Sequence, residues 1–399
     1  MSEAEGNIAQ NQKLWSRTFI VLMGVNFCSA LSFYLIMVKI TEFAMDAYGV
    51  TPSVAGMTLS AFVLSALFTR LLFGGRIDAW GVKRALFIGA AVNAVSMVLY
   101  VFPLPFAVLM AVRVAHGFGF AIMSGSAAAG AALAIPRDRY GEGIGYFSMM
   151  QALATGVGPF VAILITNVFG GYEPMFIVAA VIAALALASL ALLKLPPRAT
   201  ETPVKHVAAD AGKGRNSLVQ WSIVPLASAL LLCYLGYSGI LSFVTLYAGS
   251  LGLGDAVSLY FVVYAAVILI ARPPVGRSVD RKGENSVIYW CFVSLAVGFV
   301  VLALAANGVM LLASAALVGF GIGAVQSISQ AIIARDTPPD ELGRANSTFF
   351  MSMDLGSGVG PILIGAVIPF IGYSGSYLVL AGFAVLAGVI YHLVHGRKV

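Results

Sequence analysis

The sequence predicts an all-α membrane protein, with twelve spanning helices in two pseudo-symmetric six-helix bundles. Composition is the first ground. Hydrophobic residues make up 60% of the 399-residue chain and charged residues 10%, where a soluble domain carries roughly 25% charged. A mean hydropathy of +0.95 over the whole length is too high for a globular body bearing one oily segment. The second ground is segmentation: twelve apolar runs recur, each near the roughly 20 residues that cross about 30 Å of hydrocarbon. The third is an internal repeat. GGRIDAWGVKR at Gly74–Arg84 returns in altered form as GRSVDRKGEN at Gly276–Asn285, and Asp280 follows Asp78 by 202 positions, as Gly283 follows Gly81. The same offset carries Gly117 and Gly119 to Gly319 and Gly321, Pro136 to Pro338, Gly141 to Gly343, and Gly158-Pro159 to Gly360-Pro361. Breakers that agree in order at one offset mark a duplicated chain with parallel halves, an architecture of membrane transporters.

Taken in order, residues 1–14 read as a polar tail. The first bundle, 15–195, holds spans near 17–43, 53–73, 85–102, 106–134, 142–169 and 173–195. Residues 196–220 are rich in Pro, Lys, Arg and small polar residues and read as a flexible linker. The second bundle, 221–399, holds spans near 221–248, 256–271, 286–306, 308–334, 345–369 and 376–395.

Charge sets the expected orientation. Of the 23 Lys and Arg residues, all but Lys39 and Arg113 fall in or beside the termini and the connections 74–84, 135–141, 196–220, 272–285 and 335–344. The alternate connections carry Glu42, Asp46, Glu173 and Asp255 instead. The positive-inside bias therefore places both termini in the cytoplasm, and the net charge of +6 reflects that bias, not a nucleic-acid partner. Cys28, Cys233 and Cys291 lie singly in apolar runs, so neither zinc nor a disulfide framework is indicated. The first apolar run has no small-residue cleavage site, which argues against a signal peptide. No GK[ST] follows a glycine-rich loop, and no nucleophile–base pair emerges, so neither an ATP-hydrolysing cassette nor an enzyme is expected.

Small residues in span 4 (Ser124, Gly125, Ser126, Gly130) and span 10 (Gly319, Gly321, Gly323) suit close helix–helix approach. On its loop motif the chain resembles the major facilitator superfamily over essentially its full length. Gly74, Asp78, Gly81 and Lys83 match the family's G-x-x-x-D-R-x-G-R-[RK], with Arg84 extending the basic end; Ala79 and Val82 depart from it, and Arg281 keeps the arginine in the second copy. The resemblance implies a gating role for Gly74, Asp78, Gly81, Arg84 and Asp280, with Asp78 latching near Gly343 and Asp280 near Gly141. Arg113-Val-Ala-His116-Gly117 is similar to the family's R-x-x-Q-G segment. Gly156-Val-Gly158-Pro159, repeated as Gly358-Val-Gly360-Pro361, resembles the Gly-Pro motif of exporters. That pair bends a spanning helix, because proline removes a backbone donor and crowds the preceding turn. The resemblance thus implies the drug:proton antiporter branch, with Gly158 and Pro159 among the moving parts.

Three charges remain inside the spans: Lys39, Arg113 and Asp354. An ionised group at the bilayer centre costs about 2.5–3.5 kcal/mol even on lenient scales, so it is expected in a wet cavity or in a pair. The functional reading makes Arg113 an anion anchor and Asp354 the proton carrier, with Lys39 a further cavity charge or a snorkelling one. Asn26, Tyr34, Gln151, Tyr237 and Gln326 are candidate substrate contacts, with Tyr234 and Gln330 beside them. Interhelical hydrogen bonding is the alternative for each. His116, one turn from Arg113, reads as a satisfied interface histidine. The expected function is proton-coupled export of a small organic molecule by alternating access; two cations against one carboxylate suggest an anionic or zwitterionic substrate, such as a metal-chelating metabolite or an acidic drug. The alternative is uptake of a small anionic nutrient on the same scaffold. The expected partners are substrate, protons and the lipid bilayer of a bacterial inner membrane, with no nucleic acid and no cofactor, and the family resemblance implies a monomer.

Overall fold

The computed structural model describes residues 14–136, 139–193, 219–338 and 341–397. Among them no strand occurs. The first bundle contains α1 (Arg17–Tyr48), α2 (Pro52–Trp80), α3 (Val82–Leu99), α4 (Phe106–Ala134), α5 (Tyr140–Phe169) and α6 (Glu173–Ser189). The second contains α7 (Val224–Ser250), α8 (Gly254–Lys282), α9 (Asn285–Ala303), α10 (Gly308–Asp336) and α11 (Leu342–Tyr391). α1 begins where the Ser16 side chain accepts the Phe19 amide at 3.2 Å and stops at left-handed Gly49. The Asn307 side chain caps α10 in the same way, accepting from Met310 at 3.0 Å. α11 is 50 residues long and is divided by Gly372, whose φ of 70° and ψ of 179° lie outside helical space.

Two connections differ from the sequence expectation. The stretch 74–84 is expected as a loop, yet α2 runs helically to Trp80, and Gly81 alone separates it from α3. α8 likewise continues through Pro273-Pro274 and the basic stretch to Lys282, stopping at Gly283. The reason is that a helix satisfies its own backbone groups and need not end where apolar residues do. What ends both is a glycine with positive φ, 78° and 79°, and extended ψ, 138° and 161°, a conformation that other residues rarely adopt. The tail and nearly all of the linker lie outside the described residues. So do the side chains of Asp78 and Asp280, on which the expected latches depend; Gly74 lies within helical α2.

The repeat reappears contact by contact. A methyl group on Gly117 of α4 would sit 2.2 Å from the Phe62 carbonyl oxygen of α2; on Gly319 of α10 it would sit 2.7 Å from that of Tyr264 of α8. Gly119 packs in the same way on Gly89 and Asn93 of α3, and Gly321 on Cys291 and Leu295 of α9. Each partner in the second half lies 202 positions after its counterpart, so the two bundles are built on one packing plan.

The bundles meet along three helix pairs: α2 with the first limb of α11, α5 with α8, and α1 with α7. A methyl on Gly156 of α5 would meet the Ala265 methyl of α8 at 2.6 Å, and one on Gly358 of α11 would meet Leu64 of α2 at 2.8 Å. Gly56 and Pro52 of α2 press on Pro361 and Gly365, close to the α1–α2 turn and far from the termini. Around the outside, large apolar side chains such as Phe370, Val309, Ile270 and Trp290 stand free. Each would forgo about 2 kcal/mol of burial in water; in a bilayer they meet lipid.

Candidate functional site between the bundles

At the seam, aromatic residues from three helices converge. Tyr237 of α7 stacks on Tyr264 of α8, with ring centroids 5.4 Å apart and an interplanar angle of 14°. Tyr234, one turn earlier on α7, meets Tyr237 edge to face at 5.9 Å. The Tyr34 hydroxyl of α1 faces Thr155 of α5 and Tyr237. A phenol offers an apolar face and one polar tip, so this wall suits a flat, weakly polar body. Tyr34 and Tyr237 are thus brought together from opposite bundles.

Beside this wall the two halves share an ion pair. The Arg70 Nη1 of α2 donates to the Asp354 Oδ2 of α11 at 2.6 Å. With side-chain exposures of 40% and 23%, the pair is only partly enclosed. The geometry follows from helix direction: side chains lean toward their helix N-terminus, so Arg70, deeper toward the terminus-bearing end, reaches back along α2 to Asp354. Sequence reasoning isolated Asp354 but counted Arg70 with the neighbouring basic loop. A second arginine was missed for the same reason. Arg272 of α8 is exposed, lines a narrow crevice with Ile268, Gly319, Phe320, Gly323 and Ser327, and acts electrostatically on Tyr234, as Asp354 also does. The 202-residue offset, which takes Arg70 to Arg272, was the signal that could have found it.

The other candidates lie apart from this pair. Arg113 is wholly buried inside the first bundle. Its Nε donates to the Thr58 carbonyl at 2.7 Å, its Nη1 reaches the Tyr100 hydroxyl at 3.5 Å and His116 Nδ1 at 3.4 Å, and its guanidinium covers the Phe62 ring at 4.9 Å. Asn26 is buried and donates to the Phe147 carbonyl at 3.1 Å, tying α1 to α5. Lys39 is buried at the far end and clamped by both Glu42 oxygens, at 2.8 and 2.9 Å. Tyr172 donates to Glu42 and Asp46 there; burial first, then the bond to Asp46, pushes its hydroxyl pKa well up.

Gln151 is exposed on α5 and Gln326 half-buried on α10. Gly158 packs within its own bundle, on Tyr34 and Leu35 of α1, and Pro159 lies inside α5; it is Gly156 that faces the other bundle. Arg84 opens on a crevice of about 340 Å³ shared with Lys83, Phe87, Ile88, Leu190 and Leu193, away from the seam. Among the described residues no three His, Cys, Asp or Glu side chains converge as metal ligands.

A charge cluster that sequence reasoning passed over closes the terminus-bearing end of the second bundle. Glu284, between α8 and α9, has a nearly buried side chain. It accepts from Arg335 at 3.0 and 2.7 Å and meets His395 at 3.1 Å. The two Arg335 bonds hold its carboxyl at about 2, against the opposing effect of burial and with help from His395.

The comparisons agree with this architecture. The family model described as Major Facilitator Superfamily matches residues 22–308 and 226–398. An uncharacterised MFS-type transporter of Methanocaldococcus jannaschii is 22% identical over 389 residues, covering 95% of this chain and 96% of the relative. The staphylopine export protein of Staphylococcus aureus is 23% identical over 346 residues, covering 83% and 84%. Among solved structures, the nucleoside transporter NupG superposes with a TM-score of 0.72 at 15% identity, over 94% of this chain and 98% of that one. A peptide transporter of the POT family superposes at 0.77 and 12% identity, over 100% and 98%. With two bundles on one packing plan, a polar seam between them and a family match spanning both, the chain is a membrane transporter that belongs to the Major Facilitator Superfamily.

Proposed function

We propose that the protein is a proton-coupled exporter of a small organic molecule, working by alternating access in the inner membrane. Counting the two limbs of α11 separately gives twelve crossings and returns both termini to the cytoplasm, where the basic connections belong. The bundles are then closed at the outer end, through Pro52, Gly56, Pro361 and Gly365, and Arg70 and Asp354 lie on the inward side of that closure.

The observation that carries the reading is the Arg70–Asp354 pair. It is the one described ion pair that joins the two bundles, and one of its members titrates. Ionised Asp354 holds Arg70 and ties α2 to α11. Protonated Asp354 loses most of that attraction, and a neutral acid costs less than a carboxylate inside a membrane-spanning interface. Proton binding from outside and release to the cytoplasm therefore make and break a contact on the moving interface, which is what coupling requires. Export over uptake is favoured by the likeness to the staphylopine export protein and by the exporter-type Gly-Pro segments.

The test is flux in proteoliposomes under an imposed pH gradient, screened over candidate substrates. Asp354→Asn is expected to abolish gradient-driven flux while exchange without a gradient continues. Undiminished pH-driven flux in that variant removes Asp354 from coupling, and substrate accumulation driven by the gradient reverses the assigned direction.

A further inference from the structure

We propose that Arg272 anchors a carboxylate of the transported molecule, whose apolar or aromatic body lies against Tyr34, Tyr234, Tyr237 and Tyr264. The proposal rests on the transporter reading but not on the direction of transport. Its starting point is an asymmetry in the repeat. Arg70 and Arg272 are equivalent positions on equivalent helices, 202 residues apart, each four residues before a glycine, Gly74 and Gly276. The equivalence holds in space, since the Val63–Gly358 contact between α2 and α11 is matched by the Ala265–Gly156 contact between α8 and α5. Arg70 finds its carboxylate on α11, at Asp354. The position on α5 that corresponds to Asp354 is Ala152. The duplication thus provides a guanidinium on both sides of the seam and a carboxylate on one.

Among the described residues Arg272 has no ion-pair partner. The crevice it lines with Gly319 adjoins the tyrosine wall, since Gly319 packs on the Tyr264 backbone, and Tyr234 lies within electrostatic reach of both Arg272 and Asp354. Arg272 is exposed, and a ligand carboxylate supplies the partner that Ala152, in place of an aspartate, does not. Guanidinium is suited to carboxylate, which it grips through two parallel N–H donors. Arg113, the sequence-level candidate for this role, is enclosed and bonded within the first bundle. The tyrosine wall then selects what the carboxylate is attached to. A doubly cationic molecule is disfavoured by Arg272, and a doubly anionic one by Asp354.

The experiment uses the purified full-length protein and binding followed by thermal shift and calorimetry. The probes are benzoate, hippurate, indole-3-acetate and phenylalanine, each paired with its neutral or cationic amide. At least one carboxylate is expected to raise the melting temperature where its amide does not. Its dissociation constant is expected to rise at least tenfold in Arg272→Gln, with partial recovery in Arg272→Lys. Ala152→Asp is the sharper variant: it gives Arg272 an internal partner by restoring the symmetry of the repeat, so binding is lost while the ligand-free melting temperature is held or raised. The proposal is overturned if no carboxylate binds the wild type, if acid and amide bind alike, or if binding survives both Arg272→Gln and Ala152→Asp. Direction and proton coupling do not enter this assay, so the exporter reading stands or falls separately on Asp354→Asn flux.

Discussion

Asp354 and Arg113 look alike in the sequence, each a lone charge in a long apolar run, yet they sit in different surroundings. Arg113 turns into its own bundle, where its Nε bonds a backbone carbonyl and its guanidinium covers an aromatic face, while its Nη2 stays buried without a partner. Asp354 crosses to the other bundle. Helical spacing alone does not separate these outcomes, because both faces of a spanning helix are apolar in composition. Arg70 and Arg272 were hidden for the opposite reason: each stands a turn from a basic connection and passes for part of it. Glu284 was hidden among polar neighbours, and there a prediction follows. Its carboxyl is lowered to about 2 from the ordinary 4.5. A depressed acid stabilises above its unfolded value and loses that contribution as pH falls through the folded one. The docking of Tyr391–Gly396 should therefore hold at pH 5 and loosen between about 4.5 and 2. Glu284→Gln removes the charge at every pH and should cost at most about 1.5–3 kcal/mol, the range for a hydrogen bond to a charged group, reduced by the exposure of Arg335. Hydrogen exchange in the last ten residues checks both statements; protection unchanged in Glu284→Gln would show that the C-terminal turn is held elsewhere.

The elements themselves were largely legible. Length, apolarity and the 202-residue offset located the spans, and the same offset returned as paired glycine contacts. What the residues did not reveal was how far two helices continue past their apolar stretch, since polar and basic residues are good helix formers once outside hydrocarbon. Gly81 and Gly283 end α2 and α8 by backbone conformation alone: a methyl added at either meets nothing within 4 Å. Alanine at each position should therefore cost roughly 1–3 kcal/mol from the positive-φ, extended-ψ backbone without any clash. The expected result is a matched loss of stability for Gly81→Ala and Gly283→Ala in detergent unfolding. A loss confined to one of them would break the equivalence of the two connections.

At the scale of the whole molecule, the two bundles touch along paired interfaces that copy one another, so motion at one implies motion at both. If the halves rock, Gly358 must leave the surface of α2 in part of the cycle. A methyl built on Gly358 lies 2.8 and 3.0 Å from the outer carbons of Leu64 and 3.5 Å from Val63. Cysteines at 64 and 358 therefore fall within reach of a bond that needs Cβ atoms roughly 3.5–4.5 Å apart. Interference from native thiols is small, because Cys233 and Cys291 are buried and Cys28 is half-buried. Leu64→Cys combined with Gly358→Cys should transport when reduced, lose flux in proportion to the oxidised fraction, and regain it with dithiothreitol. Each single variant should transport under both conditions. The bridge joins α2 to α11 near the Arg70–Asp354 pair, so blocked flux places this interface on the moving path, whereas flux through a fully cross-linked pool means that substrate crosses without the bundles parting at Gly358.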